Sequence, residues 1–179
     1  MPPTAKLTTL IPEMEILDLP FLFPRRSDIY EVLDGAPGRA LLDKFVANEL
    51  VGVAFGESGF KHFTSNREIY KPTDFKGLNI RTMKSPIIMP QFYAYGALPI
   101  LIEFHKTYDA LKAGAIDGQE NPLSTIYSMK FDTIQSHLPI SNNAYLAQAL
   151  VFNKKIFESL PVGIQNILFE TAVKITPFQ

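Results

Sequence analysis

The segment "DGQENP", residues 117–122, brings together polar side chains that could do chemistry. Asp117 and Glu120 are carboxylates, and Asn121 is an amide that directly precedes a proline. Paired carboxylates can act as general acid and base, carboxylates can hold a metal ion, and amides can bind a ligand at a rim. On a strand, two residues three positions apart point to different faces. The spacing of Asp117 and Glu120 therefore does not by itself predict an acid–base pair.

Asn121 has two interpretations that its position alone does not separate. Followed by Pro122, it matches a helix start with Asn at the cap and Pro at the first helical position. In the second interpretation, the amide also hydrogen-bonds a ligand oxygen at the helix N-terminus, where anions are favoured.

Arg81 ends the predicted strand "LNIR", and a helix start follows at Ser85. In open α/β sheets, ligands lie beyond the carboxyl ends of the strands, and a guanidinium there can bind a carboxylate through two parallel hydrogen bonds. A solvated arginine at a loop start is the alternative, and position alone favours it. For Lys61 and Phe104, residue type alone predicts no functional role: most lysines lie at the surface, and a phenylalanine is expected to pack in the core.

Composition and motifs argue against several function classes. The net charge of −1 gives no basic excess for nucleic acid, and the absence of cysteine excludes disulfides and thiolate metal sites. The three histidines stand far apart without a carboxylate at metal-ligand spacing. No GxSxG, P-loop or GxGxxG motif is present, so an enzyme is disfavoured and no cofactor is expected. No apolar run approaches transmembrane length, so we expect a chain that does not itself span a membrane.

The elements that must position these residues alternate between strands and helices, which predicts the α/β class. We expect a strand over Met14–Leu19, and a buried strand "LVGVAFGE" separate from a second one in "FKHFTSNREI". Ser85 is expected to cap the helix that follows it. A length of 179 residues suits one ordinary domain or two small lobes.

Four segments resemble the DctP-type solute-binding proteins of TRAP transporters in order and spacing: "LDLPFLFP", "DFKGLNIRTMKSP", "FHKTYDALKAGAIDGQENPLSTIYSMKF" and "FNKKIFESLP". The resemblance implies a two-lobed, periplasmic-binding-protein-like α/β architecture of type II-like form, with the ligand held in the cleft between the lobes. It also implies a periplasmic protein that binds an organic acid, such as a dicarboxylate, and delivers it to the membrane subunits of the transporter.

The resemblance assigns ligand-binding roles to four residues. Arg81 matches the family's carboxylate-binding arginine, and Asn121 matches the asparagine of its "ENP" motif. Lys61 stands where some members have a second basic residue, and Phe104 where some have a pocket aromatic. "DGQENP" would then be a ligand-holding rim, with Asp117 and Glu120 supporting the turn.

The resemblance also implies an incomplete first lobe. Residues 1–58 are assigned to lobe I, residues 59–146 to lobe II with Arg81 and Asn121, and residues 147–179 to a crossing strand and helices that return to lobe I. Family members normally begin with a signal peptide and a substantial first-lobe segment, so we expect a truncated member. Such a chain is expected to bind its acid weakly or not at all and to be prone to self-association.

Two other hypotheses remain open from the sequence. One is an enzyme that uses a carboxylate or a histidine in an α/β cleft, which predicts turnover that is lost on Asp117→Asn. The other is a ligand-sensing domain, which predicts a protein partner and a fused output domain. A binding protein predicts saturable binding with the ligand unchanged. Which organic acid is bound is not determined by the sequence.

Overall fold

A computed structural model describes residues 1–175, and it divides the chain into two compact units. The first unit comprises Met1–Leu17, Phe23–Ser58 and residues from Ala147 onward, and the second comprises Asp18–Leu22 and Gly59–Leu146. The segment Asp18–Leu22, which the sequence assignment placed with lobe I, lies in the second unit. Residues 176–179, at the end of the predicted return to lobe I, lie outside the described residues.

Helices and strands alternate along the chain, so the α/β prediction is confirmed. The α-helices are α1 (Arg26–Leu33), α2 (Ala36–Asp43), α3 (Ile88–Ala94), α4 (Thr107–Lys112), α5 (Leu123–Ser128), α6 (Lys154–Glu158) and α7 (Val162–Ile175). The strands are β1 (Leu50–Ser65), β2 (Asn79–Thr82), β3 (Leu98–Leu101), β4 (Gly118–Pro122) and β5 (Ala144–Asn153). Among the described residues, no helix is long and apolar enough to cross a membrane.

The strands form one sheet in the order β3-β2-β4-β1-β5. β2 runs parallel to both β3 and β4, whereas β1 runs antiparallel to β4. The register pairs Arg81 with Gln119, Gln119 with Thr64, and Asn121 with His62. Directly paired residues project from the same face of a sheet, so these side chains share one face.

The strand predicted over Met14–Leu19 is wrong, because Pro12–Asp18 forms a 3₁₀ helix. The buried apolar residues of this segment are Ile11, Met14 and Leu17, which recur at every third position. A 3₁₀ helix has three residues per turn, so this spacing brings all of them to one side. The sequence interpretation assumed the period of two that a strand requires.

The division of residues 50–65 into two strands is also wrong, because β1 is continuous over its 16 residues. Gly59 lies inside this strand with a φ of 109°, a value that residues with a side chain rarely adopt. Glycine was taken as the end of a strand, but here it carries the strand through a local distortion.

Ser85 caps the helix that follows it, as predicted. Its hydroxyl oxygen accepts hydrogen bonds from the backbone N–H groups of Ile87 and Ile88, both at 3.2 Å. The same hydroxyl donates to the Asp18 carboxylate at 2.8 Å. This bond ties the segment Asp18–Leu22 to the start of α3.

Two apolar clusters cover opposite faces of the sheet in the second unit. One contains Phe63 and Ile80 together with residues of α3, and the other contains Ile116 with residues of α4 and α5. In the first cluster, the Phe92 ring lies edge-on to Phe63 and Phe75, with centroids 6.0 and 5.9 Å away. Such aromatic contacts add to the free energy gained by burial.

Phe92→Ala is expected to lower the free energy of unfolding by about 3–5 kcal/mol, because the Phe92 side chain is fully buried and its removal leaves a cavity. Tyr93, the next residue of α3, is 57% exposed and serves as the matched control. Urea denaturation measures both variants. Equal losses for Phe92→Ala and Tyr93→Ala would contradict the placement of Phe92 in the core.

Candidate functional site

Arg81 lies near the carboxyl end of β2 and is only 5% exposed. Its Nε donates a hydrogen bond to the carbonyl oxygen of Ile102 at 3.0 Å. Its guanidinium carbon lies 5.8 Å from the centroid of the Phe104 ring, within range of a cation–π contact. These two contacts fix the plane of the guanidinium while leaving its terminal nitrogens for another partner.

The charge of Arg81 has no counter-ion in the part of the chain that the structure describes. No carboxylate of residues 1–175 lies within 4.0 Å of its nitrogens. Burial lowers the pKa of Arg81, whereas the more distant charges of Glu120 and Glu103 act in the opposite direction. A desolvated cation without a partner is costly, and a bound anion removes that cost. The surroundings of Arg81 therefore favour an anionic ligand.

Asn121 lies in β4 and does not cap a helix, so that part of its predicted role is wrong. The strand continues through Pro122, and α5 begins at Leu123 without a side-chain cap. The Asn121 side chain instead donates a hydrogen bond to Gln119 Oε1. Because Gln119 pairs with Arg81 across the parallel strands, the Asn121 amide lies on the same face as Arg81.

Lys61 is buried, with 2% of its side chain exposed, and it forms an ion pair with Glu120. The second oxygen of Glu120 accepts a hydrogen bond from Asn143 Nδ2 at 2.6 Å. By the alternation of the strands, Lys61 and Glu120 project from the face opposite to Arg81 and Asn121. The structure therefore brings Arg81 and Phe104 into contact, places Asn121 on the same face of the sheet as Arg81, and places Lys61 on the opposite face with its charge neutralised.

The other carboxylate of "DGQENP" supports the sheet. Asp117 Oδ2 accepts a hydrogen bond from the backbone N–H of Asn79 at 2.7 Å, which joins the start of β4 to the start of β2. Asp117 and Glu120 thus hold separate structural partners. Across residues 1–175, no group of three or more His, Cys, Asp and Glu side chains is arranged to hold a metal ion.

Comparison with known proteins decides the family. The model of the bacterial extracellular solute-binding protein family 7, DctP, matches residues 1–179. The chain belongs to this family. A solute-binding protein of Verminephrobacter eiseniae is 37% identical over 167 residues, which are 93% of this chain and 50% of the relative. The chain thus spans about half the length of that curated relative.

Solved structures of the family match closely. A TRAP periplasmic solute-binding protein from Polaromonas, bound to D-erythronate, gives a TM-score of 0.93 at 35% identity, covering 97% of this chain and 58% of that one. A TRAP periplasmic solute-binding protein from Sulfurospirillum deleyianum, with bound succinate, gives a TM-score of 0.91 at 36% identity. That match covers 99% of this chain and 58% of the other chain. The chain therefore has the α/β fold of the TRAP solute-binding proteins.

Sequence reasoning missed several polar residues of this DctP-family chain. Gln119 precedes Asn121 by two positions, so strand alternation alone could have placed both on one face. His62, which pairs with Asn121 across the antiparallel strands, accepts a hydrogen bond at Nδ1 from the backbone N–H of Asn142 at 3.3 Å. Asn143 gave no signal because Glu120, the carboxylate that it binds, lies 23 residues away in the sequence.

A cavity of about 350 Å³ in the second unit is lined by other residues. Its walls include Phe63 and Phe75, which belong to the apolar cluster on the face opposite to Arg81. None of Arg81, Asn121, Lys61 and Phe104 lines it.

Glu120→Gln is expected to lower the free energy of unfolding by about 3–5 kcal/mol, because it leaves the buried Lys61 ammonium without its counter-charge. Adding Lys61→Met to Glu120→Gln removes the unpaired charge and is expected to restore most of the loss. Urea denaturation of both variants measures the coupling. A double variant no more stable than Glu120→Gln would contradict the ion pair.

The free energy of unfolding is expected to fall as the pH drops below about 6.5, because burial lowers the pKa of His62 from that value. The unfolded chain binds the proton first, and in the folded chain the proton would displace the Asn142 hydrogen bond at Nδ1. His62→Gln should flatten this pH dependence, whereas His105→Gln, at an exposed position, should leave it unchanged. Denaturation between pH 5 and pH 8 measures this pH dependence of the free energy of unfolding. The same dependence in His62→Gln as in the unsubstituted protein would contradict its assignment to His62.

Proposed function

We propose that this protein is the solute-binding component of a TRAP transporter and binds an organic acid through Arg81. The observation that carries the proposal is a buried guanidinium without a counter-ion among the described residues. Two structurally similar TRAP proteins hold D-erythronate and succinate, both of which are carboxylates. A carboxylate fits the free nitrogens of Arg81 because the two groups can form parallel hydrogen bonds.

Each of the four candidate residues has a distinct part in this proposal. Arg81 anchors the carboxylate, and Phe104 holds the guanidinium plane through its ring. Asn121 hydrogen-bonds the ligand from the same face. Lys61 tunes affinity without creating it, because Glu120 already neutralises its charge.

The proposed action is binding with release of the ligand unchanged. The family is one of solute-binding proteins. Asp117 and Glu120, the carboxylates considered for catalysis, already hold a backbone N–H and a buried lysine respectively. Neither is therefore placed as a free acid or base, which supports binding over turnover.

The remaining parts of the proposal follow from the family. Residues 59–146, together with Asp18–Leu22, form the lobe that carries Arg81 and Asn121, and the rest of residues 1–58 and residues 147–179 belong to the other lobe. The protein acts in the periplasm, and its partners are the small organic acid and the membrane subunits of the transporter. A curated relative from Rhodobacter capsulatus is named as a C4-dicarboxylate-binding periplasmic protein, which supports this location and ligand class.

Arg81→Lys is expected to weaken the binding of an organic acid at least tenfold, because lysine keeps the charge but loses the planar fork. Calorimetry with the acid that gives the largest thermal shift in a panel of C4-dicarboxylates and sugar acids measures the loss. Arg67→Lys is the matched control, since Arg67 is exposed and binds only the backbone carbonyls of Asp74 and Lys76 among its described hydrogen bonds.

Lys61→Ala should weaken binding less than Arg81→Ala under the same buffer, and the reverse order would contradict Arg81 as the anchor. The ligand recovered after incubation should be chemically unchanged by NMR. Turnover of the acid, or equal affinity of Arg81→Lys and the unsubstituted protein, would contradict the proposed function.

A further inference from the structure

A chain of hydrogen bonds between side chains runs away from Asn121 through the second unit. Asn121 Nδ2 donates to Gln119 Oε1, and Gln119 Nε2 donates to Thr64 Oγ1 at 2.9 Å. Thr64 Oγ1 donates to Gln135 Oε1 at 2.9 Å. Gln135 Nε2 donates in turn to the backbone carbonyl oxygen of Asp117 at 3.3 Å. We refer to Gln119, Thr64 and Gln135 as the relay.

The direction of the relay is set at its far end. The carbonyl oxygen of Asp117 can only accept, so the nitrogen of Gln135 must face it and the oxygen of Gln135 must face Thr64. The single hydroxyl proton of Thr64 is then used toward Gln135, so its oxygen accepts from Gln119. The oxygen of Gln119 is left facing Asn121. Asn121 must therefore present its NH₂ group to Gln119.

Burial makes this direction costly to reverse. Gln119, Thr64 and Gln135 are all buried, so water does not offer them easy alternative partners. Turning any one amide over would place two donors or two acceptors against each other, and an unmet buried polar group costs about 1–3 kcal/mol. Donation along a chain also polarises its members, which strengthens the acceptor at the donating end. That acceptor is Asn121 Oδ1.

Asn121 lies on the same face of the sheet as Arg81, and its side-chain oxygen is left to accept a hydrogen bond. Among residues 1–175, Asn121 Oδ1 accepts no hydrogen bond, and it is not one of the fully buried atoms without a partner, so it is open to a partner from outside the protein. Gln119 pairs with Arg81, and Asn121 lies two residues further along β4. With strands about 4.8 Å apart and a rise of about 3.3 Å per residue, the Cα atoms of Arg81 and Asn121 are roughly 8 Å apart. A group next to the carboxylate bound by Arg81 lies within reach of this oxygen.

We propose that the relay makes the site select acids with a hydroxyl group on the carbon next to the carboxylate. That hydroxyl donates to Asn121 Oδ1, while the remaining N–H of Asn121 donates to the hydroxyl oxygen or to the carboxylate. An acid without the hydroxyl leaves a desolvated acceptor unmet, which a site built for a hydroxyl discriminates against. Gln119, Thr64 and Gln135 are positioning residues, since they act through Asn121. The inference rests on the proposed binding of an organic acid.

Two ligand pairs test the selectivity in the unsubstituted protein. L-malate differs from succinate by one hydroxyl next to a carboxylate, and D-erythronate differs in the same way from its 2-deoxy analogue. We expect the hydroxylated member of at least one pair to bind about tenfold more tightly by calorimetry. Binding of acids without this preference would overturn the inference and leave the proposed function standing. Failure to bind any acid of the Arg81 panel would overturn both.

Substitution in the relay tests the cause of the preference. Thr64→Val removes the hydroxyl that fixes Gln119, so the ratio of the two affinities in a pair should fall toward one. Thr64→Ser keeps the hydroxyl and should retain the ratio, and Gln119→Met should lose it because Asn121 is then free to turn over. The ratio separates positioning from destabilisation, since a loosened fold weakens both members of a pair alike. A Thr64→Val or Gln119→Met variant that binds acid with an unchanged ratio would overturn the role of the relay.

Discussion

The second unit contains a buried cation, Arg81, that has no opposite charge at contact distance among residues 1–175. Arg81 gives up hydration for one hydrogen bond to a carbonyl oxygen and the face of one aromatic ring. Neither contact replaces a full counter-charge, because a carbonyl dipole and a ring quadrupole each carry only partial charge. The carbonyl oxygen of Ile102, just after β3, and the ring of Phe104 hold the guanidinium in a position that favours a negatively charged ligand. Those strands are short, and their pairing holds the backbone that positions the guanidinium.

β4 divides two tasks between its alternate residues. Glu120 faces the cluster that contains Phe63, where it meets a lysine and an asparagine and leaves no free charge. Gln119 and Asn121 face the other way, where their amides connect to Thr64. A period of two in one five-residue strand thus separates a structural ion pair from a polar surface that can meet a ligand. A one-residue slip of this register would exchange the two sets.

The sequence predicted those features that depend on local pattern. The position of Arg81 near the end of a short strand could be predicted, and so could the hydrogen-bonding role of Ser85 before a proline. Both features are set by a few neighbouring residues. Asn121 was misread for the same reason: Asn followed by Pro matches a cap, but pairing with β1 carries the strand past both residues. Tertiary pairing overrode the local signal there, and in β1 it carried the backbone through Gly59.

Long-range partners were beyond local pattern. Lys61 and Glu120 are separated by 59 residues, and nothing in either neighbourhood indicates that they meet. The same holds for Gln135 and Thr64, which are 71 residues apart. The hydrogen bond from Gln135 to the backbone of Asp117, at the far end of the relay, has an evolutionary consequence. The group that sets the direction is the main-chain oxygen of Asp117, which every possible residue at that position also has. Substitution of the Asp117 side chain therefore leaves the direction of the relay unchanged, whereas substitution at positions 64, 119, 121 or 135 removes one of its hydrogen bonds.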